Sequence, residues 1–274
     1  AATLTVPSTS DQGAFTVTCP PRSNCGKRVQ GRLTVSEWQS ELWANGALEN
    51  NGGASGTLTM RSALVPAMGV GLDATPRQGQ LEGKGRWQWR QTLKASGDIT
   101  LTGADLDWGS VTARGAAGVI HGEYDNGQVQ LSSTGPVTVD TLDIGTPITD
   151  LTLTVKSDLS QWQFKDIRAD LLGGYLRSPA LDWPSARPQP VVISRIDLAQ
   201  VAALQNPPPV SLSGRIGGYV PLQLGADFLV IKKGRLANEE PLSLIIPASS
   251  SVQAMAESNQ AVKLALDSLS TLLI

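Results

Sequence analysis

Between Gln80 and Lys94 the chain alternates polar and apolar positions without a break. Leu81, Gly83, Gly85, Trp87, Trp89, Gln91 and Leu93 fall on one face; Glu82, Lys84, Arg86, Gln88, Arg90, Thr92 and Lys94 fall on the other. Strand side chains point to opposite faces in turn, so a period of two means one wet face and one sheltered face. The run predicts a single strand of roughly 45 Å at about 3.3 Å per residue, against a common strand length of about 5–6 residues. A strand this long, apolar on one side, calls for an extended sheet that covers something greasy.

Similar alternation recurs at Phe15–Thr18, Val29–Val35, Thr57–Met60, Gly97–Leu101, Gln128–Leu131, Val137–Val139, Leu151–Val155 and Trp162–Phe164, then at Tyr175–Leu176, Val191–Ile193, Ser211–Leu224, Phe228–Ile231 and Leu242–Ile246. Turn signals separate these runs at Asn45-Gly46, Asn51-Gly52-Gly53, Gly135-Pro136 and Gly145. Asp125-Asn126-Gly127 predicts a tight hairpin with a type I′ turn. Many strands joined by Gly-rich turns predict an all-β protein: a long, curved antiparallel sheet forming an open groove or a partly open barrel.

Two helices interrupt this texture. Asp197–Gln205 places Leu198, Val201, Ala202 and Leu204 at helical spacing before a Pro-rich stop at Pro207–Pro209. A C-terminal helix from Ser250 onward puts Val252, Met255, Val262, Leu266, Leu269 and Leu273 on one stripe, suited to packing across a sheet. A short helix over Trp38–Trp43 is also conceivable from the pattern.

The chain has 274 residues, of which 17% are charged, below the roughly 25% of an average soluble protein. A net charge of −2 argues against nucleic acid as a partner. The densest basic patch, Arg22, Lys27, Arg28 and Arg32, reads as a solvated loop, with an anionic-lipid or partner contact as the alternative. No apolar run reaches the roughly 18 residues of a membrane span. The chain opens on Ala1-Ala2 with no signal-peptide pattern, as expected of a processed or excised piece.

Cys19 and Cys25 favour a disulfide over free thiols and hence an oxidising compartment. His121 is the sole histidine, so neither a zinc site nor a nucleophile–base pair is expected, and no cofactor or catalytic residue is assigned. Gly69-Val70-Gly71-Leu72-Asp73-Ala74 matches a dinucleotide pattern on paper, but Pro76 and the absence of a βαβ unit argue against it. The carboxylate pairs Asp105/Asp107, Asp140/Asp143 and Asp166/Asp170 read most simply as turn residues. Trp87 and Trp89 could be core, a sugar-stacking platform or a groove wall. Gly83 and Gly85 beside them, and Gly214 and Gly218 on the face of Leu212, Ile216 and Val220, would let a sheet bend and admit a ligand.

From Val191 the sequence reads Val-Val-Ile-Ser-Arg-Ile-Asp-Leu-Ala-Gln-Val-Ala-Ala-Leu, then Val-Ser-Leu-Ser-Gly-Arg-Ile-Gly-Gly-Tyr-Val-Pro-Leu-Gln-Leu and Phe-Leu-Val-Ile-Lys-Lys-Gly-Arg-Leu-Ala-Asn-Glu-Glu-Pro, and later Ala-Val-Lys-Leu-Ala-Leu-Asp-Ser-Leu. This resembles the C-terminal region of YdbH-like proteins, which group with TamB, YhdP and other AsmA-like proteins and have carried a "dicarboxylate transport" label. The resemblance is clearest over Val191–Leu269 and mostly compositional before it. It implies a periplasmic β-groove, anchored in the inner membrane of a Gram-negative bacterium, that passes phospholipid toward the outer membrane. It also implies a small outer-membrane lipoprotein of the YnbE type as partner. The resemblance also implies a membrane anchor and further strands after the helix, both expected to lie outside this piece.

The expected organisation is residues 1–190 as an elongated β-groove region and 191–274 as the family's C-terminal β region with its helix, one continuous domain being the alternative. Candidate groove-lining residues are Leu81, Trp87, Trp89, Leu93, Ile99, Leu101, Val129, Leu131, Leu151, Leu153, Val155, Ile216, Val220, Leu222 and Leu224. Exposing a 16-carbon tail to water costs on the order of 12 kcal/mol at about 0.8 per methylene, so a carrier needs continuous apolar shelter. The competing expectations are a non-catalytic periplasmic module that binds carbohydrate or scaffolds a protein and, more weakly, a dicarboxylate site, for which no Arg or Lys cluster is evident.

Overall fold

The computed structural model describes residues 2–5, 14–17, 28–35, 39–49, 52–66, 74–205, 211–226 and 228–245. The expected C-terminal helix, Cys19 and Cys25, the Gly69–Asp73 motif and Pro207–Pro209 lie outside these residues. The chain forms two compact units, one of residues 1–145 and 150–165 and the other of 146–149 and 166–274.

The first unit contains β1 (Ala2–Thr5), β2 (Ala14–Val17), β3 (Arg28–Val35), β4 (Ser40–Leu48), β5 (Ala54–Ala63), β6 (Ala74–Trp89), β7 (Leu93–Trp108), β8 (Val111–Asp125), β9 (Gln128–Ser133), β10 (Val137–Asp143) and most of β11 (Pro147–Ser157). Strands β1 and β2 pair with each other. From β3 to β8 every strand pairs antiparallel with the next, and β8 then pairs with β9 over Ile120–Asp125 and with β10 over Thr112–Ala117. Consecutive hairpins are what short polar turns between amphipathic strands dictate. The strand order does not close on itself, so this is an open sheet and not a barrel.

The second unit holds most of β12 (Trp162–Leu171), β13 (Gly174–Trp183), β14 (Gln189–Asp197), α1 (Leu198–Ala203), β15 (Ser211–Ser213), β16 (Arg215–Leu224), β17 (Leu229–Ile231), β18 (Arg235–Asn238) and β19 (Ser243–Ile245). Its strand order is β12-β13-β14-β16, and the far edge of β16 is shared by β17 and β18. Helix α1 begins where expected: the Asp197 carboxylate accepts from the Ala199 N–H at 2.8 Å, the usual N-cap bond. Among the described residues no helix is long and apolar enough to cross a membrane.

Three local expectations are corrected. Gln80–Lys94 is not one strand: β6 ends at Trp89, Arg90–Thr92 turn, and Leu93 pairs back onto Trp89. Alternation runs through this turn without Gly, Pro or Asn, so nothing in the pattern marked it. Asn45-Gly46 lies inside β4 and not in a turn, and Ser40–Trp43 are strand and not helix. The Asn126-Gly127 hairpin is as expected, with φ of 47° and 89° at its two positions and Asp125 paired with Gln128.

Strands β6, β7 and β8 each carry one irregularity, close to Gly79, Gly103 and Gly115, all at positive φ (131°, 57° and 68°). Register shifts fall between Pro76 and Gln80 on β6 and between Leu101 and Leu106 on β7. An inserted residue shifts the in–out alternation by one. In β7 the sheltered positions are Ala95, Gly97, Ile99 and Leu101, then Ala104 and Leu106. Because neighbouring strands shift together, one face stays apolar across the crease, and Ala104 at its centre is 0% exposed.

Asp105 and Asp107 sit at this crease within β7, not in turns. Asp105 accepts from the Gly115 N–H at 2.9 Å and the Gln78 amide at 2.8 Å. Asp107 accepts from Arg77 at 2.6 Å and ion-pairs with Arg114 at 2.9 Å, and the Arg77 bond leads in holding its carboxyl below the usual carboxylate range. Asp143 behaves as expected of a turn residue, accepting from the Gly145 N–H at 2.8 Å.

Candidate functional site

In an antiparallel ladder, directly paired residues share a face. Following the pairs across β4 to β9 gives three apolar rows in the first unit. They are Leu42–Met60–Gly83–Ile99–Ile120–Ser133, then Ala44–Leu58–Gly85–Gly97–Gly122–Leu131, then Gly46–Gly56–Trp87–Ala95–Tyr124–Val129. Leu81 pairs with Leu101, and Trp89 with Leu93, on the same face. Ser157 pairs with Leu131, which places Leu151, Leu153 and Val155 there by alternation. All eleven candidates of this unit therefore lie on one side of the sheet.

Glycines of the middle and third rows explain its curvature. A Cβ built on Gly85 would lie 2.6 Å from the Ser96 carbonyl oxygen and 3.2 Å from the Cα of Gly97; one on Gly46 would lie 2.5 Å from the Ser55 carbonyl oxygen. Across an ordinary pair facing Cβ atoms stand roughly 4.5–5.5 Å apart. Backbones this close on the apolar side mean that the strands fold toward that side, and only glycine permits it.

The result is an open trough of about 240 Å³. Gly83, Gly85, Gly97 and Gly122 form its floor, Leu42, Leu58 and Met60 one flank, and Ile99, Tyr124 and Val129 the other. Lys84, Ser96, Asp98 and Glu123 also border it, from positions whose side chains alternate to the opposite face. Of the expected residues, Ile99 and Val129 line this trough, and a Cβ on Gly122 would touch Leu131. Leu42, Leu58, Met60 and Tyr124 are lining residues that sequence reasoning missed; Leu58 and Met60 lay within the alternating Thr57–Met60 run, a usable signal.

The two tryptophans behave differently from each other. Trp87 reaches across β5, so that a Cβ on Gly46 would meet its ring at 2.6 Å; its indole N–H is buried without a hydrogen-bond partner. Trp89 is 47% exposed at the strand end. Leu151 is buried, while Leu153 and Val155 are half-buried.

The opposite face is polar. Arg32 ion-pairs with Glu41 at 2.6 Å and Lys94 with Asp125 at 2.7 Å. The His121 Nδ1 lies 2.7 Å from Asp98 Oδ1 and Nε2 3.6 Å from Glu123 Oε1. The Asp98 hydrogen bond leads in raising the His121 pKa above its usual value. Among the described residues no group of three or more His, Cys, Asp or Glu could hold a metal.

In the second unit, Val220 pairs with Val191, Leu222 with Gln189 and Ile231, Leu224 with Leu229, and Ile216 with Ile196. Here the protein fills part of its own face. Val191 and Ile196 are buried, and the buried Gln189 amide bonds the Asp182 backbone at both ends. Leu229, Ile231 and Leu236, on the edge strands, are more than half exposed. Among all described residues no large side chain is completely buried.

A curated protein of Escherichia coli (strain K12) named "Probable phospholipid transport protein YdbH" is 25% identical over 163 residues, covering 56% of this chain. The match covers 18% of that relative's length. No solved structure matches. The family described as "YdbH-like: Intermembrane phospholipid transport protein YdbH" matches residues 13–274. With nearly its whole length matched, and an open all-β sheet that keeps one face apolar, the chain belongs to the YdbH-like family.

Proposed function

We propose that this chain is a segment of a periplasmic β-groove protein that shelters phospholipid acyl chains on their way between the inner and outer membranes. The observation that carries the reading is the trough of about 240 Å³ whose floor is bare backbone and whose flanks are Leu42, Leu58, Met60, Ile99, Tyr124 and Val129. An acyl chain needs continuous apolar contact and no specific polar partner. The polar face behind it keeps the sheet wetted. Membership of the YdbH-like family supports phospholipid as the cargo.

The remaining expected residues extend the reading along the same faces: Leu81, Trp87, Trp89, Leu93, Leu101, Leu131, Leu151, Leu153 and Val155 in the first unit, and Ile216, Val220, Leu222 and Leu224 in the second. The role is that of a conduit and not an enzyme. A YnbE-type lipoprotein as the outer-membrane partner, and an inner-membrane anchor elsewhere in the full-length protein, belong to the same proposal. Against a sugar platform stands the trough itself, where Tyr124 is the one aromatic side chain.

Native mass spectrometry of the protein purified from membranes tests this. Phospholipid adducts on the wild type that disappear in Ile99→Glu are expected. A wild type free of lipid, with tight glycan binding in its place, would overturn the reading.

A further inference from the structure

The floor glycines divide into two kinds. At Gly85 and Gly97 the opposite backbone leaves no space for a Cβ, so the fold itself requires glycine. Gly122 has no such reason. Its φ is not in the left-handed region, and a Cβ there would meet only Leu131 Cδ2 at 3.5 Å and the Gly97 carbonyl oxygen at 4.0 Å, both ordinary contacts. A bare position within a strand is a net cost, because glycine loses more backbone entropy than any other residue and packs nothing. Gly83 is intermediate, with Met60 Cβ at 3.3 Å.

What a side chain at position 122 would occupy is the trough. The residue lies on its floor, on β8 two positions before Tyr124 and paired with Leu131 on β9. Building on the acyl-shelter reading, we propose that Gly122 sets the bore of the trough, and that it is glycine for the cargo and not for the fold. With about 240 Å³ beside a larger open space of about 600 Å³ that shares Ala95, Ser96, Glu123 and Tyr124, this section of the sheet takes a stretch of acyl chain.

The test compares wild type, Gly122→Ala and Gly122→Leu in the full chain, with Gly97→Ala as a fold-disrupting reference. Thermal melting is read beside retention of palmitoyl-oleoyl phosphatidylglycerol supplied in vesicles and quantified by native mass spectrometry. Both Gly122 variants are expected to melt at or above the wild-type temperature, while Gly97→Ala melts lower. Lipid retention should fall at least about tenfold in Gly122→Leu, with Gly122→Ala between it and the wild type. Wild-type retention by Gly122→Leu at unchanged melting temperature overturns the assignment. So does a melting temperature for Gly122→Leu as low as that of Gly97→Ala, because the glycine would then serve the fold. A wild type that takes up no lipid instead removes the acyl-shelter reading beneath it.

Discussion

Trp87 reaches across β5 to Gly46, where a Cβ would meet its ring, and its buried indole N–H has no partner. Leaving a donor unmet costs about 1–3 kcal/mol, whereas an apolar ring of similar shape avoids that penalty. Trp87→Phe is therefore expected to leave stability unchanged or raise it by up to about 1 kcal/mol in urea melts, the smaller ring's lost contact offsetting part of the gain. On the polar face the hydrogen bond to Asp98 raises the His121 pKa above its usual value. Its folded pKa lies above the unfolded one, so its contribution is fully present below the unfolded pKa of about 6.5 and is lost as pH rises through the folded value. An NMR titration of the imidazole should give a midpoint above 6.5 that falls in Asp98→Asn; an unchanged midpoint in that variant would mean the pair does not form.

At the scale of elements, hairpins were legible where turn chemistry announced them. Asn126-Gly127 supplies both positive φ values of its turn, and Gly127→Ala should cost about 1–2 kcal/mol, read from chemical denaturation. The reversal at Arg90–Thr92 was not legible, because its residues keep the polar–apolar rhythm of the flanking strands and carry no breaker. Asn45-Gly46 misled for the opposite reason: a turn-forming pair was used for the close approach of β4 and β5, which only the three-dimensional neighbour Ser55 reveals. The apolar face itself could be read from Leu81, Trp87, Ile99 and Val129, since parity alone decides it. The trough could not, because its floor depends on Gly85 and Gly97 meeting across two strands with Gly122 bare beside them, and register is a long-range property that one strand's sequence does not contain. Gly97→Val should confirm the structural role of that meeting with a loss of roughly 1–3 kcal/mol or more.

For the molecule as a whole, sheets with one apolar face and no completely buried large side chain among the described residues have a surface consequence. Solvent-exposed apolar area of this kind is open to apolar ligands, as the proposed acyl shelter requires. The native protein at neutral pH should enhance the fluorescence of an apolar dye, and phospholipid vesicles should reverse it. A native state that leaves the dye dark would mean that the apolar faces are covered in solution.

The crease at Gly79, Gly103 and Gly115 has a further implication for how such sheets can change. A pleated strand has a reading frame of two, and each of these glycines is a frame shift that its neighbours match. Deleting Gly79 alone would rotate Ala74–Gln78 by half a period, sending Pro76 outward and the Arg77 guanidinium into the oily side. Removing a matched pair of residues from the regular part of a hairpin keeps the frame. Lengths here can drift only in even steps or by coordinated single steps across adjacent strands, and a one-residue deletion should collapse soluble yield where a paired deletion does not.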